Sequence, residues 1–317
     1  MAEKLCAWLS EISRHDVPLV GGKGANLGDM ARASLPIPPG FVVTAPAYRQ
    51  MIEKTGLGPK IEAQLAGLDR EVNQQLQQVE AQIRHLFEQV PVFGELSETI
   101  VACYRQLGHN VPVAVRSSAT AEDLAGASFA GQQETFLNVV GEAALLEAVR
   151  RCWASLYTAQ AIFYRSQRGF IDTQVAMAVV VQRMINAEKS GVCFTVDPVM
   201  RNYYQMVIEG VWGLGEGIVS GAITPDHYKI DRETYEIIYE FVPDKKMMYC
   251  RAGEGGVRVE PVPPEKVSAR ILTESELRHL VDLGRHIEAH FGCPQDIEWG
   301  TEEDRLYLLQ SRPITNL

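Results

Sequence analysis

The sequence has no apolar run approaching the ~20 residues that span a bilayer. Its opening stretch, MAEKLCAWLSEISRHDVPLV, lacks the apolar core of a secretory signal. The six cysteines, at 6, 103, 152, 193, 250 and 293, include no CxxC pair. Dispersed thiols of this kind read as reduced and partly buried, not as a disulfide framework or a zinc site. His290 and Cys293 in HFGC have a ligand-like helical spacing, but no second pair accompanies them. Basic charge is not in excess either: Lys+Arg number 30 against 40 Asp+Glu, a formal net charge of -10. Such a balance argues against a nucleic-acid partner or an anionic membrane surface. Internal repeats and low-complexity tracts are absent too. The expectation is a soluble, cytoplasmic protein with no nucleic acid and no membrane among its partners.

What is present is a chain of 317 residues, 46% hydrophobic and 22% charged, enough for a sizeable core and more than one small core serves. Two subdomains are expected, 1–195 and 196–317. Strand and helix signals alternate, which favours an α/β (α+β) architecture. DVPLVGGKGANLGDMARA reads as a short strand, a glycine turn and a helix starting near Ala25. Prolines 36, 38 and 39 precede a short strand, FVVT, and a helix after Thr44. Glu62 to Phe87, rich in Glu, Gln, Leu and Ala, reads as one or two surface helices. GEAALLEAVRRCWASLYTAQAIFYRSQRG has the strongest amphipathic pattern. VAMAVVVQRM is a strand covered on both faces. SGVCFTVDP, QMVIEGVWG and HYKIDRETYEIIYE supply further strands, 253–268 a loop-rich excursion, and 273–291 a helix before the closing strands DIEWG and LYLLQSRP.

Four stretches carry residues suited to chemistry. In VGGKGANLG, Lys23 lies in a glycine turn that opens a helix, where free N–H groups favour an anion; the spacing is not that of a P-loop, and a solvated lysine at a helix start accounts for it equally. In VPVAVRSSATAEDLAGASFAGQQETFLNV, an apolar strand delivers Arg116 at its tip, and ligands of such sheets gather at strand ends. The guanidinium there either meets phosphate oxygens or ties down the loop through Glu122 or Asp123. In the C-terminal pair of strands, a hairpin centred on Asp304 sets Asp296 opposite Arg312 and Glu298 opposite Gln310. All four then share one face, while Ile297, Trp299 and Leu309 cover the other. A carboxylate beside an amide oxygen is a hard-ligand pair suited to Mg²⁺. The fourth stretch, IEGVWGLGEGIVSGAITPDHY, has glycines at 210, 213, 215, 217 and 221 and fits either a ligand-hugging loop or a mobile one. One Lys, two Arg, a Glu/Gln pair and two glycine loops are in kind sufficient for a nucleoside triphosphate with magnesium, since phosphoryl transfer needs chiefly positioning and charge neutralisation.

Taken in order, VGGKGANLGDM, IPPGFVVTAPAY, VAVRSSATAEDLAGASFAGQQETFLNV, VVVQRMI, SGVCFTVDP, GLGEGIVSG, TPDHY, DIEW and LLQSRPIT resemble the N-terminal nucleotide-binding domain of the phosphoenolpyruvate synthase and pyruvate phosphate dikinase family. The same domain type occurs in rifampin phosphotransferase and in the ATP-binding subunit of phenylphosphate synthase. The resemblance covers nearly the whole chain. It implies an ATP-grasp-like fold with ATP between two subdomains, and Mg²⁺ as the accompanying ion. By matched motif it implies that Lys23, Arg116 and Arg312 hold the phosphates, and that Glu298 and Gln310 hold the metal with Asp296 in support. Gly131, Gln132, Gln133 and Thr135 belong to the phosphate-covering loop. Gln182 to Met184 meet the adenine through backbone groups, and Glu209 reaches the ribose.

In that family ATP phosphorylates a histidine on a separate swivelling domain, leaving AMP and phosphate, and the histidine then visits a barrel domain with the second substrate. None of the seven histidines here has the Ser-His-Ala-like context of that loop. The resemblance therefore implies a phosphohistidine-bearing domain or subunit as partner and a final small-molecule acceptor bound elsewhere. A free-standing subunit and a domain cut from a longer enzyme both fit. The alternative of another class is a non-catalytic ATP-sensing module that acts through a partner.

Overall fold

The structure is a computed structural model that describes residues 4–120, 134–167, 175–315 and 317. The chain forms two compact units, Met1–Ser34 with Pro39–Met184, and Leu35–Pro38 with Ile185–Leu317. Helix and strand are mixed in both, the α/β (α+β) class expected.

In the first unit, β1 (Cys6–Trp8), α1 (Val17–Arg32), β2 (Gly40–Val43), α2 (Ala45–Thr55), α3 (Leu57–Leu65), α4 (Asn73–Glu88), α5 (Gly94–Leu107), β3 (Val113–Ala119), β4 (Thr135–Val139), α6 (Glu142–Ala154), α7 (Ala159–Gln167) and β5 (Met177–Arg183) follow in sequence. The sheet is antiparallel, ordered β1-β2-β5-β3-β4. The continuous apolar run of β5 occupies its centre because both its faces are covered. Phe41, Val43, Val113, Val115, Val179 and Val181 point into a core shared with the apolar stripes of α2 to α6. The alternate residues Val42, Ala114 and Val180 turn to the opposite face, which α1 crosses; a side chain added at Gly24 of α1 would sit 3.4 Å from Val42.

In the second unit, β6 (Lys189–Phe194), β7 (Gln205–Trp212), α8 (Glu216–Val219), β8 (Asp226–Asp231), β9 (Ile237–Phe241), β10 (Met247–Arg251), β11 (Val257–Pro261), α9 (Glu274–Phe291), β12 (Gln295–Glu302) and β13 (Arg305–Pro313) follow. Six strands form an antiparallel sheet ordered β13-β12-β6-β7-β8-β9, and β10 pairs with β11 separately. α9 starts at a full capping box, Thr273 with Glu276, and ends on Gly292 in the left-handed region. Its buried stripe, Leu277, Leu280, Val281, Gly284 and Ile287, lies against the face bearing Met206 and Thr195. That face is apolar, with Cys193, Ile208, Tyr228, Ile230, Ile297 and Trp299 all at or below 2% exposure. Gly191 is required on β6, since a Cβ there would stand 1.8 Å from Glu209 O and 2.7 Å from the Trp299 ring.

Three local expectations change. The residues before Gly21 are helical, not a strand: α1 runs from Val17 with a kink at Gly21 (φ 70°, ψ 172°). β3 does not end at Arg116; it pairs with β5 as far as Ala119↔Met177, so Arg116 is a mid-strand residue. The segment 253–268 is not all loop, because β11 lies within it. The passage between units falls at Met184/Ile185, earlier than the 195/196 read from the sequence, because β6 hydrogen-bonds along its length to β7 and β12.

Candidate nucleotide site

In the first unit the site is built around a broken helix. At Gly21 the backbone leaves helical geometry, and the Ser118 hydroxyl repairs the break by donating to Val20 O (2.9 Å) and accepting from Gly24 N (3.1 Å). Only glycine fits, since a Cβ at 21 would lie 2.3 Å from both Ser118 O and Ser118 Oγ. This splice holds α1 against β3 and brings Lys23 to it, with Nζ donating to Ser117 O (3.3 Å). Arg116 is the next residue along β3, half-buried, and faces the α1 side with Ser118. Thr135, opposite Arg116 in the β3–β4 ladder, is exposed. Gly131, Gln132 and Gln133 lie outside the described residues, as do Glu122 and Asp123.

The carboxylate of Glu134, the residue before Thr135, is held by Arg84 (3.0 Å), itself paired with Glu80 (3.1 Å). Gln182 and Met184 are both buried, at 2% and 7% exposure. The N–H groups of Arg183 and Met184 already donate to Pro39 O and Pro112 O, each at 2.8 Å. An adenine hydrogen bond from either N–H would have to displace one of these.

In the second unit the C-terminal hairpin has the expected register, Asp296↔Arg312 and Glu298↔Gln310. It reaches that register by an unexpected route. The turn is the two-residue pair Glu303–Asp304, both at positive φ (51° and 59°), which pairs Trp299 with Leu308. Continued regularly, that ladder would put Leu309 opposite Glu298. A β-bulge between Glu298 and Trp299 absorbs one residue, so Leu309 is only half-buried and Leu308 takes its place in the core at 0% exposure. The four polar side chains consequently share a face: Arg312 Nη2 lies 3.5 Å from Asp296 Oδ2 and 3.7 Å from Glu298 Oε1. Burial pushes the Asp296 carboxyl above the usual range, the Arg312 guanidinium opposes that, and the Glu298 carboxylate adds to it.

Cross-strand pairing extends this face through Val192 on β6 to Glu209 on β7 and His227 on β8. Glu209 Oε1 is 2.9 Å from His227 Nδ1. The motif TPDHY thus splits across the sheet. Asp226 turns into the interior, where it is bound by the Lys245 ammonium, the Tyr228 hydroxyl (2.7 Å) and Ile271 N (2.7 Å), while His227 turns to the polar face. Within the glycine-rich stretch, Gly213 and Gly217 are explained by close neighbours of the protein itself, Tyr249 and Ile223. The sequence reading missed Ser118 and His227. The serine lay in a quoted motif but its partner is a helix 98 residues away; the histidine was legible only through the period-2 alternation of TPDHY.

Among the described residues no group of three or more His, Cys, Asp or Glu side chains forms a metal cage. Glu298, Gln310 and Asp296 offer hard oxygen atoms from two carboxylates and one amide. Mg²⁺ is typically held by one or two carboxylates plus the phosphates of its nucleotide, so the donor set fits that ion in that role. Among the described residues no helix is long and apolar enough to cross a membrane.

Comparison with known proteins gives a consistent result. The family description "Pyruvate phosphate dikinase, AMP/ATP-binding domain" matches residues 17–317. A probable phosphoenolpyruvate synthase of Archaeoglobus fulgidus is 50% identical over 314 residues, 98% of this chain and 41% of that protein. The phosphoenolpyruvate synthase of Pyrococcus furiosus is 42% identical, with 100% of this chain and 44% of that protein covered. A rifampicin phosphotransferase of Bacillus cereus is 42% identical over 97% of this chain and 35% of its own length. The chain therefore spans less than half the length of these curated relatives. Among solved structures, a dinucleotide-forming acetyl-coenzyme A synthetase of Ca. Korarchaeum cryptofilum aligns at 13% identity and a TM-score of 0.32, over 74% of this chain and 90% of its own, too slight a likeness to bear on the fold.

Proposed function

The chain belongs to the family of the pyruvate phosphate dikinase AMP/ATP-binding domain, and on that premise we propose that it binds MgATP and phosphorylates a histidine on a separate domain or polypeptide. The observation that carries the reading is the hairpin face on which Asp296, Glu298, Gln310 and Arg312 converge. A cation-ligand set and an anion clamp share one short stretch of sheet there, as a metal-bound polyphosphate requires.

In this reading the fold is ATP-grasp-like, with its two units divided at Met184/Ile185. Lys23 and Arg116 hold phosphate oxygens from the first unit, and Arg312 does so from the second. Lys23 is a compact charge on a flexible stem, while the two arginines supply planar forks that fix phosphate orientation. Glu298 and Gln310 hold Mg²⁺, which neutralises phosphate charge when bound, and Asp296 supports them. Gly131, Gln132, Gln133 and Thr135 cover the phosphates, Gln182 to Met184 recognise adenine, and Glu209 takes the ribose.

Release of AMP and phosphate requires both phosphoanhydride bonds of ATP to break: one phosphoryl group ends on the histidine nitrogen and the other on water. Water must therefore be admitted to one bond and kept from the other, which makes enclosure of the nucleotide part of the chemistry. The final small-molecule acceptor binds elsewhere, and the working compartment is the cytoplasm.

Replacing Arg312 or Glu298 with Ala tests the assignment. Phosphotransfer is expected to fall at least about 100-fold, by more than nucleotide binding does. Unchanged turnover in Arg312→Ala would remove Arg312 from the site.

A further inference from the structure

We infer that His227 is a positioning residue for the nucleotide ribose: it holds the Glu209 carboxylate in the orientation that accepts the ribose hydroxyls. The inference rests on the ATP reading above and extends it to a residue that reading does not use. Glu209 and His227 face one another across the β7–β8 ladder, with Oε1 to Nδ1 at 2.9 Å. A carboxylate at that distance only accepts, so the proton of the contact sits on Nδ1. The ring is in turn steadied by Tyr239 on β9, edge to face at 5.9 Å and 69°. The Glu209 carboxylate makes no other hydrogen bond among the described residues, so its second oxygen remains available to a ligand. Both side chains are about a quarter exposed, at 25% and 26%, so a ligand on this face can reach the carboxylate with the histidine beside it.

The position suits a ribose. Glu298, the proposed metal ligand, lies in the same cross-strand row, two strand spacings away through Val192. At about 4.8 Å per spacing, Glu298 and Glu209 stand ~10 Å apart, on the order of the distance between a nucleotide's distal phosphates and its sugar. The intervening Val192 makes no polar claim on that path. A pair of vicinal hydroxyls is bound best by a carboxylate whose plane is fixed, because an unanchored Glu must give up side-chain freedom on binding.

The test is calorimetric binding of MgATP, 2′-deoxy-ATP and 3′-deoxy-ATP to the full chain and to three variants, Glu209→Gln, His227→Phe and His227→Asn. The wild type is expected to prefer ATP over each deoxy analogue by roughly 10- to 100-fold, the worth of a hydrogen bond to a charged group. In His227→Phe the preference should collapse to within about 3-fold, chiefly through loss of ATP affinity, with binding of the deoxy analogues little changed. His227→Asn places an amide N–H near the position of Nδ1–H and should restore most of it; a purely structural histidine would move all three nucleotides together. Undiminished discrimination in His227→Phe, with Glu209→Gln losing it, overturns the role of His227 and leaves the ribose reading intact. A wild type that binds ATP but does not discriminate overturns the ribose assignment, and a wild type that binds no ATP overturns the nucleotide reading itself.

Discussion

Asp296 is the residue where stability and the proposed function pull apart. Its folded carboxyl is pushed above the usual range by burial, against the pull of Arg312. A raised carboxyl pKa means that the folded state binds the proton more tightly than the unfolded chain does. The stability contributed by protonated Asp296 is thus present below the unfolded value and lost as pH rises through the raised folded value, so ionised Asp296 is a cost at neutral pH. Asp296→Asn is predicted to raise the thermal midpoint at pH 7 by roughly 1–3 °C, and to lose that advantage below about pH 4, where the wild-type group is protonated in both states. The same variant should weaken MgATP binding. Thermal scans at the two pH values, with a parallel titration of MgATP, check both halves. The residues of this face were legible in the sequence because alternation along a strand is local. Ser118 in the α1 kink and His227 beside Glu209 were not, since each acts through a partner from another element.

Elements show the same division between local and non-local information. The central strand β5, the capped helix α9 and the two halves of the C-terminal hairpin follow from their own residues. The apolar VPLV before Gly21 reads as a strand by composition, yet it is helical because Val20 and Gly24 are spliced through a serine of β3. Arg116 reads as a strand tip because small polar residues follow it, yet Ser117 to Ala119 continue the ladder on β5. In the hairpin, the expected pairing is produced by two compensating features, a two-residue turn and a bulge. That turn is strained: Glu303 and Asp304 both sit at positive φ, a conformation for which Asn-Gly is the favoured pair. The double variant Glu303→Asn, Asp304→Gly is predicted to stabilise the protein by about 0.5–1 kcal/mol without altering nucleotide affinity, because the turn residues are exposed and beyond the bulge from the polar face. Denaturant unfolding beside an ATP titration would show it; a shift in affinity would mean that the bulge had been lost and the face had turned over.

At the scale of the whole molecule, the residues proposed to bind the nucleotide are divided between the two units. The first contributes Lys23 and Arg116, the second Asp296, Glu298, Gln310 and Arg312. Family membership covers residues 17–317, while the curated relatives extend to more than twice the length matched here. The reaction proposed is accordingly a half-reaction that needs an acceptor histidine from outside this sequence. Its most direct test is nucleotide product analysis after incubation with MgATP, with and without a phosphohistidine-bearing domain from the same source. AMP and phosphate appearing only with that domain, together with one labelled histidine on it, is the predicted result. ADP as the sole nucleotide product, or tight MgATP binding with no turnover under either condition, would contradict it; the second outcome would make the chain an ATP-sensing module.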